Sequence, residues 1–82
     1  MATPSLANVA IAKSIIAARR QGLSNREAAL AGGVSKTTLQ NWIKWGKHSD
    51  HTVYALFAQA YEAAYLAYID EVTAVIAREL FD

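Results

Sequence analysis

The chain has 82 residues, 54% of them hydrophobic and 18% charged, with no cysteine and a formal net charge of +1. That length holds one small domain and at most one further element, a core too small to be robust unless it packs against another segment or another copy. Lack of cysteine excludes a disulfide framework and a thiolate metal site and fits a reducing cytoplasm, and the N-terminus has no pattern of basic, apolar and small-residue regions that would predict export.

The near-neutral total hides an asymmetry. Residues 1–47 carry seven of the eight Lys and Arg residues against one acidic residue, a net +6, while the remainder carries Arg78 against six acidic residues, a net −5. A basic half takes up phosphates by releasing condensed counterions, and an acidic half is repelled by them. Only the first half is expected to touch a nucleic acid.

Four helices and no strand are expected in chain order. Pro4 or Ser5 opens the first, whose Leu6, Val9, Ala12, Ile15 and Ile16 follow helical spacing up to Gln21, with Gly22 as the left-handed stop. Arg19 and Arg20 sit in its last turn, where cations complement the helix dipole; Arg20 is also a candidate phosphate contact. Leu23 precedes a Ser24/Glu27 capping box and is placed to pack on Ala28 as a hydrophobic staple.

The second and third helices form a helix-turn-helix pattern. Gly32-Gly33 gives the backbone freedom to turn, Ser35 caps the next helix, and Ala29 is small where the two helices cross. Val34, Leu39, Trp42 and Ile43 recur at helical spacing and are expected inside, leaving Lys36, Thr37, Gln40, Asn41 and Lys44 outside. Gln and Asn pair bidentately with adenine, Thr meets a thymine methyl or a phosphate, and Lys reaches guanine or phosphate. The expected contacts to duplex DNA are therefore Arg20, Arg26, Ser35, Lys36, Thr37, Gln40, Asn41, Lys44 and Lys47. Trp42 is expected in the core and Trp45 against the last helix.

Gly46 to His51 reads as a polar connection in which Ser49 or Asp50 caps the last helix. His48 and His51 have no third ligand nearby in sequence, so neither a metal nor any other cofactor is expected. From about residue 52 to 80 the pattern is helical, alanine-rich and free of glycine and proline, in one long helix or two. Tyr54, Tyr61, Tyr68 and Val75 repeat every seven, with Ala58, Tyr65 and Val72 interleaved, and Ala60, Ala63, Ala67, Ala74 and Ala77 form a second face of small residues. One small domain does not bury both faces. The first seam is expected to cover the three-helix unit while the alanine face lets a neighbouring copy approach, so the segment reads as an oligomerisation helix, with Tyr54, Phe57, Tyr61, Ala63, Ala67, Tyr68 and Ala74 as its expected contact residues and a tail packed wholly on its own domain as the alternative.

A membrane span is not expected: the apolar run from Val53 to Ile69 is short, contains Gln59 and Glu62, and leads directly into Asp70-Glu71. Nor is an enzyme. The sequence presents no nucleophile and base pair, no carboxylate pair with a cleft and no phosphate-cradling Walker loop. The expected fold class is all-α, a three-helix helix-turn-helix domain over residues 1–48 followed by a helical oligomerisation segment over 49–82.

In this order of elements the chain resembles the small terminase subunit of tailed bacteriophages. The likeness is carried by Arg26-Glu27-Ala28-Ala29, Gly33-Val34-Ser35-Lys36-Thr37-Thr38-Leu39 and Trp42-Ile43, followed after a polar linker by Tyr54, Phe57 and Tyr61 in an alanine-rich helix. The resemblance implies recognition of viral DNA during genome packaging in the host cytoplasm, assembly into a homo-oligomeric ring, and delivery of DNA to a large terminase subunit with ATPase and nuclease activity. The first block alone is shared by many regulators and transposases. A two-fold transcriptional regulator or transposase DNA-binding domain is thus the alternative, and a helical interaction module without DNA a third possibility.

Overall fold

Two glycines and two serines set the corners of the molecule. The structure is a computed structural model describing residues 9–48 and 52–81. These residues form four helices and no strand: α1 Val9–Arg20, α2 Asn25–Ala31, α3 Lys36–His48 and α4 Thr52–Phe81. The chain is all-α. The expected opening at Pro4 or Ser5, with Leu6, and the expected caps Ser49 and Asp50, with His51, lie outside the described residues.

Helix α1 ends as its sequence predicts. Gly22 takes φ +85°, a left-handed backbone open to glycine at little cost, and the next amide, Leu23 N–H, turns back to the Ala18 carbonyl at 3.2 Å. Helix α2 then starts on a complete capping box: the Ser24 hydroxyl accepts the Glu27 N–H at 3.2 Å, and the Glu27 carboxylate accepts the Ser24 N–H at 3.1 Å. At its far end Gly33 takes φ +75°, and Val34 N–H returns to the Ala29 carbonyl at 3.0 Å. Ser35 opens α3 by accepting the Thr38 N–H at 3.1 Å.

The core lies where all four helices meet. Ile15 and Ala18 of α1, Ala28 and Ala29 of α2, and Leu39 and Trp42 of α3 are buried together with Val34, and Phe57 and Tyr61 of α4 join the same cluster. Trp42 is the largest fully buried side chain and meets the Phe57 ring edge-on, centroids 6.0 Å apart at 88°. The core thus crosses the boundary that the sequence places at residue 48.

Gly46 explains how α3 and α4 come so close. The sequence assigns it to the connection, but it lies within α3, and a Cβ there would overlap the Tyr54 carbonyl and the Ala58 side chain. Its missing side chain lets two backbones approach, a requirement that a polar flanking sequence disguises. Beyond it, Trp45 packs edge-on against Tyr54 with centroids 5.3 Å apart, as expected.

Helix α4 is one continuous element of 30 residues, about 45 Å long at the usual rise. Its first half covers α1 and α3, and past Val72 every residue of α4 with a described side chain is exposed. Among the described residues no helix is long and apolar enough to cross a membrane.

Candidate nucleic-acid interface

The side chains expected to meet DNA share one side of α3. Lys36, Thr37, Gln40, Asn41, Lys44 and Lys47 are all exposed, and their three- and four-residue spacing aligns them along one face of the helix. The opposite face holds Leu39 and Trp42 in the core. Helix α3 contains no acidic residue, so nothing on it offsets its three lysines. Buried Val34, Leu39 and Trp42 fix the rotation of the helix about its axis, which decides that these polar groups point outward together.

The remaining expected contacts divide. Arg26 is exposed on the first turn of α2. The Ser35 hydroxyl is used locally: besides accepting the Thr38 N–H, it donates to Thr38 Oγ1 at 3.0 Å. Arg20 stands apart from the α3 face and pairs with Glu71 of α4 at 2.9 Å, both side chains exposed.

For the residues expected to face a second copy, the placement also divides. Phe57 and Tyr61 are each 5% exposed and buried within their own chain, which corrects their reading as contacts to a neighbour: the aromatic seam of α4 is consumed in covering α1 and α3. Tyr54 is half-buried beside Trp45, and Tyr68 is half-buried with its ring at the position a Gly22 side chain would occupy. Ala63 and Ala74 are exposed and Ala67 is half-buried.

A second group of polar residues, of which only Tyr61 belongs to the expected set and there as a contact to a neighbour, ties α4 to the start of α2. The Tyr61 hydroxyl donates to Asn25 Oδ1 at the first position of α2. Arg19 stacks on Tyr65 at 3.8 Å and lies 5.2 Å from the Tyr61 ring centre, while its guanidinium donates to the Leu23 carbonyl at 2.9 Å. Burial pushes the Tyr61 phenol above its ordinary pKa, and the positive charge of Arg19 partly opposes that shift. These contacts hold the corner between α1 and α2, and hence the angle from which α2 presents α3. An open cleft of about 270 Å³ lies beside them, lined by Arg19, Asn25, Lys47, Tyr61, Glu62 and Tyr65 among others. The only local sign of this arrangement is the tyrosine repeat; the partners of Tyr61 and Tyr65 lie 36 or more residues away along the chain.

Among the described residues no group of three His, Cys, Asp or Glu side chains is placed to hold a metal ion. No family model, no curated protein and no solved structure matches this chain.

Proposed function

We propose that this protein recognises duplex DNA, with α2 and α3 acting as a helix-turn-helix that lays α3 in the major groove. The observation that carries the reading is the outward face of α3, where lysines alternate with Thr37, Gln40 and Asn41 and no carboxylate intervenes. Lys36, Lys44, Lys47 and Arg26 serve as phosphate contacts, which set affinity and register, and Gln40 and Asn41 serve as base readers, which set sequence choice. The acidic residues of α4, Glu62, Asp70, Glu71 and Glu79, favour turning that helix away from the duplex, with Glu62 sharing the cleft of Lys47.

Within that reading, the biological role is DNA recognition by a small terminase subunit during viral genome packaging, supported by the resemblance in element order and motif. Self-association through α4 presents several reading helices to one DNA and raises affinity by multivalency, and a large terminase subunit receives the bound DNA. The alternative, a two-fold regulator or transposase domain, uses the same α3 face on paired half-sites.

Substitution separates the two kinds of contact. Lys44→Ala is expected to weaken binding to every duplex and to lower the salt slope by about one, whereas Gln40→Ala and Asn41→Ala relax sequence choice at a cost of about 1–3 kcal/mol on the preferred site. Fluorescence anisotropy on a selected duplex and a scrambled one distinguishes them. Equal losses on both duplexes from all three variants overturn direct readout by α3.

A further inference from the structure

The apolar stripe by which α4 covers its own chain does not stop where that chain ends its cover. Phe57, Ala58, Tyr61 and Ala64 are buried along it and Tyr65 and Tyr68 are half-buried. At the same angle around the helix the stripe continues through Val72, Val75 and Ile76, with Leu80 at its edge. Val75 is 46% exposed, Ile76 51% and Leu80 70%. Tyr68, Val72, Val75 and Ile76, with Glu71, line a shallow groove there.

We propose that this exposed stretch of α4 pairs with the same stretch of a second copy, antiparallel and about a two-fold axis near Thr73 and Ala74. Charge chooses the occupant and its direction. Glu71 and Arg78 lie seven residues apart on one flank of the stripe, and Arg78 is the only cation of α4. Glu71 already holds Arg20 of its own chain through Oε2 at 2.9 Å, and its exposed carboxylate offers Oε1 to a second cation. Antiparallel helices bring the same flank of each copy together, so Glu71 of either copy faces Arg78 of the other and both pairs form at once. Parallel helices bring opposite flanks together, and that flank meets Thr73 and Leu80 instead. The antiparallel register sets Val72 of one copy against Val75 of the other. It also sets Glu79, the charged residue within the stripe, level with Tyr68 of the other copy.

The pairing gives the self-association proposed above a contact and a symmetry, and it depends on α4 rather than on DNA binding. The overlap runs from Tyr68 to the end of α4, which puts the interface at the small end of specific contacts and makes the pair dissociate on dilution. Being two-fold, it closes on itself; a ring needs another contact elsewhere on the chain.

Sedimentation velocity of the full chain across a concentration series, without DNA, tests the pairing. The wild type is expected to move from monomer to dimer with concentration, and Ile76→Asp to remain monomeric with an unchanged helical signal and thermal midpoint. Glu71→Arg and Arg78→Glu each place like charges together and are expected to weaken the dimer about tenfold; mixing the two variants restores it, since each supplies the charge the other lacks. A monomeric wild type at high concentration, an assembly indifferent to Ile76→Asp, or a mixture no tighter than its parts overturns the proposal. Loss of DNA binding by the α3 variants leaves these results unchanged, so the two readings fail separately.

Discussion

The first and second halves of α4 carry one apolar stripe in two environments. From Tyr54 to Tyr68 the stripe lies against α1 and α3, with Phe57 and Tyr61 in the core, Tyr65 beneath Arg19 and Tyr68 at Gly22. Past Val72 the same periodicity faces outward. The difference teaches that hydrophobic spacing marks a face that favours burial without naming what buries it. Length along the helix decides the outcome here, because α4 extends past the end of α1 near Glu71, where Arg20 reaches it.

Substitutions can break this contrast at its buried end. Trp42→Ala removes the largest fully buried side chain, which touches Phe57, and is expected to cost about 3–5 kcal/mol, a large share of the stability of so small a domain. Chemical denaturation with circular dichroism measures it. Val75→Ala, on the exposed continuation, is expected to change monomer stability by no more than about 0.5 kcal/mol in the same assay at low concentration. A comparable loss from both would mean that the two halves of the stripe are buried alike.

Gly46→Ala sharpens the contrast at the α3–α4 crossing. In an exposed helix the change would stabilise by up to about 1 kcal/mol, whereas here the added Cβ meets the Tyr54 carbonyl and is expected to cost about 1–3 kcal/mol by forcing the helices apart. Melting of the variant decides the sign.

The smallest expected effect is local. Ser24→Ala removes one half of the α2 capping box and is expected to cost about 1 kcal/mol near neutral pH. The box also has a pH signature, because the Ser24 backbone N–H, followed by its hydroxyl, holds the Glu27 carboxyl below its ordinary pKa of 4.5. A carboxyl whose pKa is lowered by folding stabilises the folded chain above its ordinary value, and the contribution is lost as pH falls through the folded value. Ser24→Ala keeps the backbone N–H and loses only the hydroxyl, so both chains lose stability on acidification and the gap between them narrows slightly, which paired melts at pH 7 and about pH 3 would reveal.

Legibility in the sequence tracks the range of the interactions. The Gly22 stop, the Ser24/Glu27 box, the Ser35 cap and the outward set of α3 each depend on residues within one or two turns, and the structure has them where spacing puts them. The Tyr61–Asn25 hydrogen bond, the Arg19 stack on Tyr65 and the Arg20–Glu71 pair join residues 36 to 51 positions apart and leave no short-range mark. For the same reason Gly46 reads as a connection when it is a close approach, and Phe57 and Tyr61 read as surface for a neighbour when they close the chain's own core.

The central claim is that the α3 face binds duplex DNA, and the most direct measurement is the affinity of the full chain for a duplex over a range of salt. With Arg26, Lys36, Lys44 and Lys47 on phosphates, the logarithm of the association constant is expected to fall linearly with the logarithm of salt, with a slope of about −3 to −4 per bound chain. No binding at low salt, or binding that salt does not weaken, would contradict it.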